Sequence, residues 1–234
     1  MNYALILAGG KGTRMKNTGV PKQFMNLSGK PIIIYTIENI KKIREIDKII
    51  VVCNKDYITY MMDLLSDYGL DNQIEVTEGG NDRLHSTLNG ISYIKKMYGI
   101  KENDIFIAHD SVRPFTKERI FLENIKYAHE KKAATTVFDL TETIAETNEN
   151  GEIYKLYPRN NLYSGQSPQT FNINYFLECT SKIPENELNS FTDLSNNITY
   201  CGGVVIPVQG DRDNIKITHS IDLVIASSLI DMYK

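Results

Sequence analysis

The sequence predicts an α/β fold: a doubly wound, mostly parallel sheet with helices on both faces. Three observations predict it. Short runs of Ile, Val, Leu and Ala recur along the chain, with stretches of helical period between them. The runs are apolar at successive positions, which marks strands covered on both faces. The first run, Tyr3-Ala4-Leu5-Ile6-Leu7, passes directly into the glycine-rich, basic loop Ala8-Gly9-Gly10-Lys11-Gly12-Thr13-Arg14-Met15. Ligands of such sheets bind beyond the carboxyl ends of the strands.

Taken in order, strands are expected at Tyr3–Leu7, Lys48–Cys53, Gln73–Glu78, Asp104–Ala108 and Ala134–Phe138. Helices are expected at about Pro31–Ile43, Lys55–Tyr68, Asp82–Tyr98 and Lys117–Lys131. Pro31 suits a first helical turn, where its missing N–H costs nothing, and Asp82 is a good N-cap. After Phe138 the pattern breaks. Thr141–Glu146 and Glu152–Leu156 alternate, and Asn150-Gly151 between them signals a hairpin turn. An inserted hairpin has no place in the main sheet, so residues 139–163 are expected to project as a β-hairpin arm. Its apolar Ile144, Ile153, Leu156 and Tyr157 argue for burial against something, and a second subunit is the expected occupant. The α/β pattern then resumes with a helix near Ile173–Lys182, strands at Val204–Val208 and Asn214–Thr218, and a last helix from Ser220.

Composition bounds the function. The 234 residues suit a single domain, 1–234, with a sizeable core. The net charge is −3 with both signs intermixed, so no basic tract points to nucleic acid. Cys53, Cys179 and Cys201 lie far apart, and free thiols are the simpler reading than a disulfide or zinc framework. No apolar run approaches the ~18 residues of a membrane span, and no signal-peptide pattern is seen; a soluble cytoplasmic protein is expected.

The opening loop is built to hold phosphates. Glycines let backbone N–H groups close on an anion, and Lys11, Arg14 and Lys22 supply opposing charge. Spacing excludes two common motifs. A P-loop needs a glycine upstream that is missing here, and a dinucleotide fingerprint needs a third glycine at Met15. An unoccupied strand-to-helix turn would explain the glycines but not the cationic cluster.

Leu7-Ala8-Gly9-Gly10-Lys11-Gly12-Thr13-Arg14-Met15 followed by Pro21-Lys22-Gln23-Phe24 closely resembles the opening of sugar-nucleotide and alditol-phosphate nucleotidyltransferases. More narrowly, it resembles the cytidylyltransferases acting on methylerythritol phosphate and on ribitol 5-phosphate. Later segments match the same family in order and spacing: Gly79-Gly80-Asn81-Asp82-Arg83-Leu84-His85-Ser86, His109-Asp110-Ser111-Val112-Arg113-Pro114 and Asn214-Ile215-Lys216-Ile217-Thr218.

The resemblance implies a Rossmann-like, glycosyltransferase-A-like nucleotidyltransferase. It implies that Leu7, Ala8, Gly9, Gly10, Gly12, Gly79, Gly80, Arg83 and Ser86 bind CTP. Arg14, Lys22, Arg159 and Lys216 are the expected catalytic residues, opposing charge on two polyanionic reactants. Asp110, Arg113, Thr143 and Ser167 are expected at the acceptor, with Asp110 serving its hydroxyls or a Mg²⁺ ion. His109 is read as structural. Taken alone, Arg159 would read as a solvated arm charge and Asp110–Arg113 as a loop-shaping ion pair. The arm implies a homodimer.

The acceptor leans towards ribitol 5-phosphate. Methylerythritol enzymes more often carry Ala-Ala-Gly in the loop and Arg-Asp-Thr in the arm, where this chain has Ala8-Gly9-Gly10 and Thr141-Glu142-Thr143. Tyr163-Ser164-Gly165-Gln166-Ser167-Pro168-Gln169-Thr170-Phe171 resembles the ribitol-phosphate branch, which serves teichoic acid and capsule pathways. Leu194 departs from the Thr-Asp-Glu/Ala pattern of relatives. Methylerythritol phosphate, glycerol phosphate, a GTP- or UTP-using transferase and a silent nucleotide-binding subunit remain alternatives.

Overall fold

A computed structural model describes residues 1–10, 20–188 and 190–232. In chain order the strands are β1 Asn2–Ala8, β2 Asn26–Leu27, β3 Lys30–Pro31, β4 Lys48–Cys53, β5 Ile74–Glu78, β6 Ile105–Asp110, β7 Ala133–Asp139, β8 Ile144–Thr147, β9 Ile153–Tyr157, β10 Tyr163–Asn172 and β11 Ile206–Gln209. The helices are α1 Ile32–Lys41, α2 Ile58–Asp67, α3 Arg83–Tyr98, α4 Glu118–Lys131, α5 Ile173–Ser181, α6 Glu185–Leu188, α7 Ser195–Tyr200 and α8 Ser220–Met232.

Seven strands form the main sheet in the order β11-β7-β10-β6-β1-β4-β5. β1 pairs in parallel with β4 and β6, β4 with β5, and β11 with β7. β10 runs antiparallel, wedged between β6 and β7. The expected fold class stands. The alternation along β1 divides the interior: Ala4 and Ile6 join Ile37, Met61 and Phe121 under α1, α2 and α4, while Tyr3 and Leu5 join Ile94 and Phe176 under α3 and α5. Burial of these Ile, Leu and Phe side chains contributes roughly 1.5–3 kcal/mol each. A smaller cluster of Leu27, Ile32, Val112 and Ile217 seats α8.

Several expectations are corrected. Asn214–Thr218 is not a strand. Its backbone groups bond elsewhere: the Asn214 carbonyl accepts from Arg113 Nη1 at 2.6 Å, and Ile217 N–H donates to the Val112 carbonyl at 3.0 Å. Pro31 precedes α1 rather than opening it, at φ −59° and ψ 139°. A 3₁₀ turn over Lys55–Tyr57 precedes α2. β10 departs from the sequence reading, because Gly165 and Pro168 are poor strand residues; the ladder with β7 is shifted between Gly165 and Gln169.

β8 and β9 pair only with each other, as a two-stranded sheet outside the main one. Their turn is built by Asn148, whose Oδ1 accepts from the N–H groups of Asn150 and Glu152 at 3.0 Å each. Gly151 sits at φ +80°, where a side chain would be strained. Ile153 and Leu156 are each more than half exposed.

Candidate active site

The carboxyl ends of β1 and β6 open into a cleft of about 320 Å³. Leu7, Gly9, Gly10, Lys22, Gln23, Gly80, Asn81, Asp82, Arg83, Ser86, Asp110, Thr192 and Lys216 are among its lining residues. Distant segments of sequence converge there, as expected at the strand ends of an α/β sheet.

Each wall is fixed by local chemistry. Lys22 opens the 3₁₀ turn Lys22–Phe24, and buried Phe24 anchors that turn against Tyr57 and Tyr60, with ring centroids 5.6 and 5.0 Å away. Buried Gln23 ties the turn to the glycine loop: its Nε2 donates to the Ala8 carbonyl at 2.7 Å and the Gly10 carbonyl at 3.4 Å. On the opposite wall, Asp82 caps α3 by accepting from His85 N–H at 2.8 Å. Ser86 Oγ accepts from Gly80 N–H at 3.1 Å and donates to the Gly80 carbonyl at 3.3 Å. Gly80 lies so close to the helix that a Cβ there would meet His85 Cβ at 2.4 Å. The N-terminus of α3 thus faces the cleft, with its positive dipole end available to an anion.

Asp110 ends β6 and gathers three cations. Arg83 pairs with Oδ1, while Arg113 Nε and Lys216 Nζ each lie 3.1 Å from Oδ2. Burial alone would raise the Asp110 pKa; Arg83, Lys216 and Arg113 overcome it and hold the carboxyl well below the usual carboxylate range. One negative charge against three positive ones leaves the site cationic, which suits a polyanionic ligand. His109, immediately before it, is fully buried. Its Nδ1 lies 3.1 Å from Ser167 Oγ, which accepts from the Asp110 N–H. Burial pushes the imidazole pKa down to about 4, so His109 is neutral near pH 7 and its role is support.

The donor set does not fit a protein-held Mg²⁺. Both cleft carboxylates are committed: Asp82 to the helix cap and His85, Asp110 to its three cations. Among the described residues no cluster of three or more His, Cys, Asp or Glu could hold a metal.

The family profile described as "IspD: 2-C-methyl-D-erythritol 4-phosphate cytidylyltransferase" matches residues 3–232. The chain belongs to this cytidylyltransferase family. It is 38% identical over 231 residues to a ribitol-5-phosphate cytidylyltransferase of Lactiplantibacillus plantarum, with 99% of each chain covered. Among solved structures, the 4-diphosphocytidyl-2C-methyl-D-erythritol synthase of Anaerococcus prevotii superposes with a TM-score of 0.80 at 26% identity, covering 99% of this chain and 98% of that one. The 2-C-methyl-D-erythritol 4-phosphate cytidylyltransferase of Francisella tularensis shares the fold, with a TM-score of 0.78 at 24% identity over 97% of this chain and 98% of that one.

The cytidylyltransferase is a nucleotidyltransferase with CTP as substrate. Of its expected site residues, Leu7, Gly9, Gly10, Lys22, Gly80, Arg83, Ser86, Asp110 and Lys216 line the one cleft. Arg113 and Ser167 stand behind Asp110, each bonded to it. Ala8 ends β1 and Gly79 follows β5, just behind that lining. Thr143 and Arg159 belong to the arm, where Arg159 Nη1 donates to the Thr141 carbonyl at 2.7 Å. Gly12 and Arg14 lie outside the described residues. Sequence reasoning passes over Gln23, Gln169, Thr116 and Asn214 as functional side chains; each is a buried polar residue spanning two segments, and no local pattern marks that. Among the described residues no helix is long and apolar enough to cross a membrane.

Proposed function

We propose that this chain transfers CMP from CTP to D-ribitol 5-phosphate, forming CDP-ribitol and pyrophosphate. The full-length relative at 38% identity carries that choice of acceptor. The Ala8-Gly9-Gly10 loop and the Thr141-Glu142-Thr143 segment of the arm support the same branch.

A phosphate oxygen of the acceptor attacks the α-phosphorus of CTP. The new P–O bond forms as the bond to the β-phosphate bridging oxygen breaks, and pyrophosphate leaves with that electron pair. No general base is required, because the attacking phosphate oxygen is already ionised. Catalysis then rests on positioning and positive charge. The Gly9–Gly10 backbone and the α3 N-terminus receive CTP, with Arg83 and Ser86 beside it. Lys22 and Arg14 stabilise charge at the α-phosphate and leaving group. Lys216 holds phosphate at the Asp110 edge, where Asp110 faces the acceptor and Arg113 fixes the Asp110 carboxylate from behind. A divalent cation entering with CTP would add positive charge against the phosphates, and no carboxylate of the cleft is assigned to hold it.

The arm, residues 139–163, is the dimerisation element in this reading. Exposed Ile153, Tyr154 and Leu156 support it. A second copy would bring Thr143 and Arg159 to its partner's acceptor site.

The test is product identification by mass spectrometry after incubating the enzyme with CTP, Mg²⁺ and ribitol 5-phosphate. CDP-ribitol and an equal amount of pyrophosphate are expected. CTP binding without product from any alditol phosphate would favour a silent nucleotide-binding subunit.

A further inference from the structure

Three segments meet at one side chain that the reaction scheme does not use. Gln169, on β10, is 1% exposed. Its Oε1 accepts from Arg83 Nη2 at 3.2 Å. Its Nε2 donates to Asp193 Oδ1 at 2.7 Å and Thr135 Oγ1 at 3.0 Å, with Ser195 Oγ at 3.2 Å. Asp193 is itself held by the Ser195 N–H, which donates to Oδ1 at 2.8 Å.

The neighbours decide which way this amide points. A guanidinium only donates, and an ionised carboxylate only accepts. Turning the amide over would set its NH₂ against Arg83 and its carbonyl against Asp193, two repulsive contacts in a buried place. Neither Gln169 nor Asp193 is among the residues lining the cleft, whereas Arg83 and Thr192 are. Among the described residues the relay therefore reaches the cleft through Arg83 and through the wall that Thr192 forms.

We propose that Gln169 and Asp193 are positioning residues for CTP. Asp193 locks the Gln169 amide with its carbonyl towards Arg83, and this lock holds the guanidinium in register with Asp110 at the mouth of α3. The inference rests on the reading of Arg83 as a nucleotide ligand. A mere structural cluster would change stability and leave nucleotide affinity alone; a positioning relay changes affinity for CTP with little change in turnover at saturation.

The experiment measures CTP binding by calorimetry without acceptor, together with KM for CTP, kcat and melting temperature. Gln169→Glu sets a carboxylate against Asp193 and should weaken CTP binding about tenfold, with kcat within about threefold. Adding Asp193→Ala removes the opposing carboxylate and leaves the Thr135 and Ser195 hydroxyls to donate to the new one, and should restore affinity to within about threefold of wild type. Wild-type affinity in Gln169→Glu, or no rescue in the double variant, overturns the relay. So does a fall in kcat at unchanged KM. Where Gln169→Glu fails to fold, Asp193→Ala at its half-buried loop position carries the test, with the same rise in KM expected and an unchanged KM contradictory. Arg83→Ala separates the two layers. Unchanged CTP affinity there removes the reading of Arg83, whereas a loss there but none in Gln169→Glu removes only the relay.

Discussion

The Asn214 carbonyl accepts a 2.6 Å hydrogen bond from Arg113 Nη1, across 101 residues of chain. The bond joins the Asp110 loop to the segment bearing Lys216. The Asn214 side chain completes the joint: Nδ2 donates to Gln166 Oε1 and to the Ser167 carbonyl at 2.9 Å each, and Oδ1 accepts from Thr116 Oγ1 at 2.7 Å. A segment without a sheet ladder is thus held by a side chain, and Lys216 is delivered to Asp110.

Asn214→Ala removes those three bonds and leaves buried partners unsatisfied. Chemical denaturation should show a loss of about 2–4 kcal/mol, and kcat/KM should fall with it as Lys216 loses its anchor. A loss under about 0.5 kcal/mol would mean that the joint is not what holds the segment.

Lys216→Met and Lys22→Ala each remove one positive group from the cleft lining. Steady-state kinetics should show kcat lower by about 10²–10³ in each case. Turnover within a fewfold of wild type in either variant would sink the role assigned to that lysine.

How much of this is legible in the sequence follows from how local each signal is. Continuous runs such as Lys48–Cys53 mark the parallel strands, because a strand covered on both faces is apolar at every position. Gly80 and Arg83 are legible through a contiguous motif at a helix start. β10 is not, since it draws its place from neighbours on both sides rather than from strand propensity. Asn214–Thr218 looks like a strand because Ile215 and Ile217 alternate with polar residues. Its backbone partners are Arg113 and Val112, a loop and not a ladder. Gln23 and Gln169 are invisible as positioning groups, because their partners are far away in sequence.

Gly80→Ala tests the close approach at the nucleotide wall. An added Cβ would lie 2.7 Å from the His85 carbonyl carbon, so the α3 start must shift. KM for CTP should rise about tenfold or more while KM for the acceptor changes less. Equal effects on both would place the disturbance outside the nucleotide wall.

His109 gives a pH signature. Its pKa falls from the usual 6.5 to about 4 on burial, so the unfolded chain binds a proton that the folded chain refuses between those values. Stability is therefore complete above pH 6.5 and declines as pH falls towards 4, by about 3 kcal/mol in full. Urea unfolding at about pH 7.5 and about pH 5 reads this slope, and His109→Gln should flatten it. A wild-type slope of zero over that interval would contradict a neutral buried imidazole. The pH–rate profile should carry no limb from His109 near neutrality.

Ile153→Asp with Leu156→Asp places charge on the exposed apolar face of the arm. Light scattering should report a dimer for wild type and a monomer for the double variant, with activity falling in step. A wild-type monomer with full activity would remove the arm from the reaction.

The most direct test is competition in one vessel, with limiting CTP, Mg²⁺ and equal concentrations of ribitol 5-phosphate and 2-C-methyl-D-erythritol 4-phosphate. The ratio of the two CDP products equals the ratio of kcat/KM values. CDP-ribitol in at least about tenfold excess is the predicted result; an excess of the methylerythritol product would contradict the assignment of the acceptor.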